Sequence, residues 1–136
     1  MIIFKELRIK TPKREVLINI TSMIAKIVED SSVKEGVCRI FVPHTTAGIT
    51  INENADPAVM KDIIMQLKKI IPKNSRFSHM EGNSDSHIKS TLTGPNIEVI
   101  IHTGNLVLGI WQGIMFAEYD GPRNRKIFVQ IQGEMN

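Results

Sequence analysis

The order of strand-like and helix-like segments constrains the fold of this chain more than any other feature of its sequence. Residues 3–9 and 16–20 alternate apolar and polar side chains, which is the pattern of half-buried strands, and the turn residues at 11–13 suggest a hairpin between them. Residues 20–28 have the period of an amphipathic helix. The predicted order over the chain is β-β-α-β-β-α, a short helix and three strands. Because strands come in adjacent pairs, we predict an α+β fold of mostly antiparallel sheets with helices packed on one face.

Two further helices are predicted from their end signals. Asp56 can cap the first, Pro57 suits its first position and Pro72 stops it. Its buried stripe is expected to be Met60, Ile63, Ile64, Leu67 and Ile71. The second, over residues 84–93, should bury one apolar side through Ile88 and Leu92.

Length and composition indicate one small domain. The chain has 136 residues, so we expect a single domain over residues 1–136. The net charge is only +3, and no aromatic residues interleave with a basic run, so nucleic acid is not an expected partner. The N-terminus is charged from Lys5 onward and has no apolar run long enough for a signal peptide or a membrane span. We therefore expect a cytoplasmic protein with no membrane partner.

Cysteine and tryptophan occur once each. Cys38 lies in a strand pattern, so we predict a small core residue rather than a catalytic thiol, and no disulfide can form within the chain. Trp111 lies in the apolar run of residues 106–119, which predicts either a core position or a contact with another subunit.

Three of the four histidines lie where binding sites are commonly built. His44 ends a predicted central strand, His79 lies in a loop and His87 opens the short helix. Three neutral imidazoles that met in space could hold zinc or a similar ion, with one position open for water or substrate. No local spacing requires this, so separate surface histidines are the alternative. His102 follows a strand beside a turn and is expected to be structural or exposed.

One carboxylate near His44 has no obvious structural role. Glu53 has the same parity as Ile49 and Ile51, so it should point toward the buried face at the end of its strand. A carboxylate there needs a partner, an ion or a raised pKa. Glu53 is therefore a candidate general base or ion ligand, and a salt bridge at the strand end is the alternative.

Two segments carry groups that could bind phosphate. Thr45 and Thr46 offer hydroxyls, and the nearby Gly48 would allow close approach of an oxyanion to the backbone. Arg123 and Arg125 follow an Asp-Gly turn and could grip a phosphate with both guanidinium groups. The alternative for the arginines is a solvated hairpin tip.

Three longer segments together carry a family resemblance. They are HTTAGITINENADP from His44, SHMEG and SHIKSTLTGP between residues 78 and 95, and GNLVLGIWQGIMFAEYDGPRNRKIFVQIQG from Gly104. The sequence resembles the YjbQ-like family, also called secondary thiamine-phosphate synthase-like, over essentially its whole length. The resemblance implies a small α+β homotrimer with sites near subunit boundaries. By motif, it implies roles for His44, His79, His87, Glu53, Asn54, Arg123 and Arg125.

The activity implied by the resemblance is the joining of a pyrimidine pyrophosphate to a thiazole phosphate. The three histidines would hold a divalent ion, zinc or magnesium, or would hold the pyrophosphate directly, while the arginines neutralise phosphate charge. Such a protein is a transferase that acts on small phosphorylated substrates. The alternatives are a trimer that binds a phosphorylated metabolite without turnover, and a metal-dependent hydrolase in which a metal-bound water attacks an ester.

Overall fold

The computed structural model describes residues 1–136 and contains eight strands and three helices. The strands are β1 (Ile2–Lys10), β2 (Val16–Asn19), β3 (Glu35–Phe41), β4 (Ala47–Glu53), β5 (Asn96–His102), β6 (Asn105–Leu106), β7 (Gln112–Glu118) and β8 (Asn124–Glu134). The helices are α1 (Thr21–Ser31), α2 (Pro57–Ile70) and α3 (Ser84–Thr93). Every strand pairing is antiparallel, so the predicted α+β class is confirmed. No helix has the length and apolar character needed to cross a membrane.

The main core lies between two sheets. The larger sheet has the strand order β1-β8-β3-β5-β6, and the smaller one has the order β2-β7-β4. Ile114 and Phe116 of β7 join Ile127 and Val129 of β8 in one fully buried cluster, to which α1 adds Ile24. The alternation predicted for the last strand is therefore confirmed, and the predicted central strand, β3, lies in the middle of the larger sheet.

The predicted hairpin between β1 and β2 is wrong, because these strands belong to different sheets. β1 pairs with β8 along its whole length, whereas β2 pairs with β7. Strand β7 is buried from Gly113 to Glu118, so its backbone N–H and C=O groups need a hydrogen-bonded neighbour on each edge, and β2 and β4 fill these positions. The link between β1 and β2 packs on the β7–β8 loop instead, where the Thr11 N–H donates to the Arg123 carbonyl at 2.9 Å.

Helix α2 follows its prediction and covers the outer face of the smaller sheet. The Asp56 carboxylate caps it by accepting a hydrogen bond from the Ala58 N–H at 2.9 Å. Pro57 is its first residue, and it ends at Ile70, before Pro72. The cluster beneath it is Leu17, Ile64, Met115, Ala117 and Tyr119.

Helix α3 has the predicted length but buries a different face. Ile88 and Leu92 are exposed, whereas Asp85 is fully buried and Lys89 is only 1% exposed. Lys89 Nζ lies 2.8 Å from the Asp85 carboxylate and 2.7 Å from that of Glu15 on the neighbouring chain segment. Because every charged group on this face has a partner, a polar face can enter the interior, and apolar periodicity could not predict it.

Cysteine and tryptophan have opposite environments. Cys38 is fully buried, which confirms the core prediction, and burial raises the pKa of its thiol to about 12. Trp111 is 61% exposed and the adjacent Ile110 is 88% exposed, so Trp111 is not a core residue of its own chain. The chain turns between Gly109 and Gln112. The Gln112 side chain accepts a hydrogen bond from the Gly109 N–H at 2.8 Å, and strand β7 begins only at Gln112. The subunit contact stays a prediction.

Candidate functional site

One polar cavity brings together the three histidines that the sequence singled out. Its volume is about 460 Å³, and His44, His79 and His87 all line it. The rest of its wall is Pro43, Thr45, Thr46, Glu81, Asn83, Asp120, Arg123 and Arg125. The link after β3, the loop before α3, the first turn of α3 and the β7–β8 loop meet at this point. The three imidazoles therefore lie in the wall of one cavity, and their predicted catalytic and metal-binding roles stay predictions.

His44 is anchored to β8 through one nitrogen of its ring. Nε2 lies 3.0 Å from the backbone nitrogen of Lys126 and 3.1 Å from its carbonyl oxygen. An unprotonated Nε2 accepts from the N–H, and a protonated Nε2 donates to the carbonyl, so the backbone engages this nitrogen in either state. Burial lowers the pKa of His44 and the charge of Arg125 lowers it further, so the ring is neutral near neutral pH. Nδ1 is the nitrogen left to contact a ligand.

His79 and His87 form a second wall of the cavity. Their ring centroids are 5.4 Å apart and the ring planes are nearly perpendicular, at 87°. His79 Nε2 lies 3.7 Å from the Glu81 carboxylate. Aromatic edges and faces in this arrangement can contact a flat heterocycle as well as an anion.

The three histidines do not form a metal site as they are arranged. No group of three His, Cys, Asp or Glu side chains lies close enough together to hold a metal ion. A zinc ion needs its nitrogen ligands at about 2.0–2.1 Å from one point, and Nδ1 is the only nitrogen of His44 left to supply one, since Nε2 is engaged by the backbone. We therefore derive no chemical step through a metal from this geometry.

Arg125 is a buried arginine with one nitrogen to spare. Its Nε donates to Glu118 at 2.8 Å and its Nη2 donates to the Thr46 hydroxyl at 2.8 Å and again to Glu118. Burial alone would raise the pKa of Glu118, but hydrogen bonds led by those from Arg125 lower it below its usual value overall, so the carboxylate is ionised. Nη1 makes none of these bonds and is the atom of Arg125 that can meet a ligand in the cavity.

The solvated hairpin tip considered for the two arginines is wrong, because β7 and β8 belong to different sheets. Arg125 is only 6% exposed, so it is not a surface residue. Arg123 is about half exposed, and its Nη2 donates to the Asp120 carboxylate at 3.0 Å. The β7–β8 loop and the start of β8 thus present to the same cavity one half-exposed guanidinium, that of Arg123, and one buried guanidinium, that of Arg125.

Asn83 is a cavity residue that sequence reasoning missed. Its Nδ2 donates to the Asp120 carboxylate at 2.8 Å, which fixes the orientation of the amide, since only the NH₂ group can donate. Its Oδ1 is buried and has no hydrogen-bond partner, a state that typically costs about 1–3 kcal/mol. A ligand with an N–H or O–H donor would satisfy it. The available sequence signal was an asparagine directly before a predicted helix, the favoured N-cap position.

The predicted phosphate contacts at Thr45, Thr46 and Gly48 fall into separate roles. Thr45 is exposed at the cavity, whereas Thr46 is 6% exposed and holds Arg125. A side chain at Gly48 would lie 2.8 Å from the Gly94 carbonyl oxygen. The space that Gly48 leaves is therefore filled by the end of α3, and the prediction that an oxyanion approaches there is wrong.

Glu53 and Asn54 lie far from the cavity of their own subunit. Strand β4 separates them from Thr46, and its seven residues span about 20 Å at roughly 3.3 Å per residue. The Asn54 N–H donates to the Trp111 carbonyl at 3.0 Å, so this residue helps to hold the exposed turn. Roles for Glu53 and Asn54 in the site stay predictions, and they require a neighbouring subunit.

Comparison with known proteins gives one consistent family. A family model described as UPF0047 protein, YjbQ-like, matches residues 5–134. The chain is similar to a UPF0047 protein of Methanocaldococcus jannaschii, with 58% identity over 127 residues that cover 93% of this chain and 92% of the relative. It is also similar to the UPF0047 protein YugU of Bacillus subtilis, with 45% identity over 95% of this chain and 98% of the relative.

Solved structures extend the similarity to three dimensions. A crystal structure of an uncharacterized protein of the yjbq/upf0047 family from Clostridium acetobutylicum has a TM-score of 0.92 and 51% identity, and the match covers 94% of this chain and 99% of that one. A YbjQ-like protein of unknown function from Sulfolobus solfataricus has a TM-score of 0.94 and 35% identity over 98% of this chain and 99% of that one. These names state a family and no activity.

Proposed function

The chain belongs to the UPF0047 YjbQ-like family, and we propose that its histidine-lined cavity binds the phosphate end of a small phosphorylated molecule. The observation that carries the proposal is the convergence of three imidazoles and two guanidinium groups on one cavity whose wall is polar apart from Pro43. The N-terminus of α3 lies at the same cavity, since Asn83 and His87 line it, and it contributes the positive end of the dipole of a ten-residue helix. Charge-assisted hydrogen bonds of these kinds are what a phosphate requires.

The reaction that we propose is the transfer implied by the family resemblance. The C–O bond between the methylene of a pyrimidine and its pyrophosphate breaks, and the bonding electron pair leaves with the pyrophosphate. The thiazole nitrogen of a thiazole phosphate then gives its lone pair to the methylene carbon and forms the new C–N bond. The enzyme must therefore stabilise a leaving anion rather than supply a strong base.

Three donors of the cavity suit that task. Nδ1 of His44, the Arg123 guanidinium and Nη1 of Arg125 would receive the charge that develops on the pyrophosphate. Asn83 Oδ1 would accept a hydrogen bond from a donor on the substrate, such as the amino group of a pyrimidine. His79 and His87 would flank the ring of the substrate.

A homotrimer is part of the same proposal. The outer face of the larger sheet carries exposed apolar side chains, including Phe4 at 61%, Phe41 at 46% and Ile100 at 63% exposure. Several exposed apolar side chains on one face of a sheet commonly mark a contact between proteins.

The test is a direct assay of the transfer. Purified protein, the two substrates and magnesium are mixed, and the coupled product is followed by chromatography with mass detection. The variant His44→Gln keeps a side-chain group near Lys126 but removes Nδ1, and it should lose most of the activity. The matched control is His102→Gln, since His102 is exposed and pairs with Glu35 outside the cavity. No product above the His44→Gln background would refute the transferase.

A second candidate, a binding protein without turnover, is favoured by one observation. The Asp120 carboxylate is engaged by Asn83 and Arg123, and the three histidines are not arranged around a metal, so the cavity has groups that bind an anion but no evident metal-activated water for hydrolysis. Calorimetry with the separate substrates and with inorganic pyrophosphate distinguishes the candidates. Binding that depends on His44, without product, supports the binding protein. Metal analysis of the purified protein and the effect of a chelator on binding test the predicted zinc or magnesium.

A further inference from the structure

A second cavity lies between the edge strand β2 and helix α2 and shares no lining residue with the histidine-lined cavity. Its volume is about 390 Å³, within the range of small-molecule sites. We call it the lysine-rimmed groove. Its floor is apolar and includes Leu17, Met60 and Ile64, and its rim carries Lys13, Lys61 and Lys68.

The period of α2 places both kinds of side chain in the groove. Met60 and Ile64 are four residues apart, so they lie one above the other on the helix surface. Lys61 and Lys68 are seven residues apart, which is about 10 Å along the helix axis at 1.5 Å per residue. Lys13 reaches the same groove from the link between β1 and β2. An apolar body on the floor would therefore have an ammonium group near either end.

The rim lysines are not neutralised by the acidic residue of the groove. Neither Lys13 nor Lys61 takes part in an ion pair. The only carboxylate in the lining is that of Glu15, which is bound by Lys89 at 2.7 Å and by Arg14 at 3.2 Å. Lys68 lies 4.0 Å from it, at the limit of an ion pair. The groove thus has an apolar floor and a surplus of positive charge.

We propose that the lysine-rimmed groove binds a small apolar anion, an aliphatic or aromatic body that carries one carboxylate or phosphate. The body would cover the apolar floor, and the anionic group would lie among the rim lysines. A protein partner would need about 800 Å² of its surface to form a stable contact, whereas this groove is a concave site of small-molecule size. The site is independent of the histidine-lined cavity, so its failure would leave the proposed transfer untouched.

Octanoate is a suitable probe, with octylamine as the cation of the same length. The protein is labelled with ¹³C at its methionine methyl groups, because Met60 and Met65 line the groove and Met80 is 99% exposed elsewhere. We expect saturable shifts at Met60 and Met65 with octanoate, at a concentration on the order of 1 mM, and no shift at Met80. The double variant Lys61→Gln, Lys68→Gln should weaken binding about fivefold or more. A control double variant, Lys69→Gln with Lys73→Gln, should leave it unchanged.

Octyl phosphate, titrated in the same way, tells whether the groove prefers phosphate to carboxylate. Any of four outcomes would overturn the proposal. Octylamine could shift Met60 and Met65 as strongly as octanoate does, the lysine variants could bind octanoate as the wild type does, or octanoate could leave both methyl groups unshifted. A change in oligomeric state caused by Lys61→Gln and Lys68→Gln, measured by light scattering, would instead assign the groove to a contact between copies and would also overturn it.

Discussion

Replacing Lys89 by methionine removes the cation that neutralises two buried carboxylates. Lys89 is 1% exposed, and its ammonium group bonds to Glu15 at 2.7 Å and to Asp85 at 2.8 Å. Removing one partner of a buried ion pair typically costs about 3–5 kcal/mol. Arg14 still bonds to both carboxylates, at 3.2 Å and 3.0 Å, so we expect the lower end, about 3 kcal/mol. That is a large part of the roughly 5–15 kcal/mol by which a domain is stable.

The pH dependence of this loss separates charge from packing. Burial alone would raise the pKa of Asp85, but the hydrogen bonds from Arg14 and Lys89 lower it below its usual value overall. Such a carboxylate stabilises the fold above its unfolded pKa of about 3.9, and this contribution is lost as the pH falls through the lower folded value. In Lys89→Met the ionised Asp85 carboxylate stabilises the fold less than in wild type already at neutral pH. The difference between wild type and variant should therefore be largest at neutral pH and shrink below about pH 4.

Urea unfolding followed by circular dichroism at neutral and acidic pH measures both effects. The control is Lys26→Met, because Lys26 also pairs with an aspartate one helical turn away, at 3.0 Å, but is 67% exposed. Exposed pairs of this kind contribute little to stability. The reasoning is refuted if Lys89→Met loses no more free energy of unfolding than Lys26→Met, or if its loss is the same at both pH values.

Three further predictions concern His44, Cys38 and the proposed trimer contact. The pKa of His44 is lowered in the free protein, and a bound phosphate should raise it again. The NMR titration of the ring should therefore shift toward higher pH with pyrophosphate, and binding should tighten as the pH falls. An unchanged titration would contradict the contact. Cys38, buried and with a thiol pKa of about 12, should react with a thiol reagent only when the protein unfolds, and rapid reaction of the folded protein would show that the strand is open. If the larger sheet forms the trimer contact, light scattering should give three times the 15.3 kDa chain mass for wild type, and Phe4→Glu should reduce it, whereas Lys26→Met should not.

The parts of the fold that could be predicted are those governed by local rules. The cap at Asp56 and the prolines on either side of α2 determine that helix from its own residues, and alternation determined β8. The partners of the strands could not be predicted in the same way. Whether β2 pairs with β1 or with β7 depends on which edges of β7 still lack a hydrogen-bonded partner, and that is known only once both sheets are built.

The candidate site was predictable in its residue types and not in their roles. His44, His79 and His87 stood at a strand end, in a loop and at a helix start, which are common positions for binding residues, and they line one cavity. The sequence did not show which of these residues contact a ligand and which hold other side chains in place. Two nitrogens of Arg125 donate to Glu118 and Thr46. Sequence spacing does not predict that Glu118, a strand residue, is the partner of Arg125.

The buried charges that sequence periodicity missed are also what connects the fold to the site. Asp85 and Lys89 fix α3 to the segment after β1, and the Ser86 hydroxyl donates to the Tyr119 carbonyl at 2.6 Å, which fixes the same helix to the end of β7. The first turn of α3, which these contacts hold in place, carries His87. Asn83 directly precedes the helix. Loosening the network should therefore weaken ligand binding in the histidine-lined cavity even where the protein remains folded, since the helix carries His87 in its first turn and Asn83 at its N-cap.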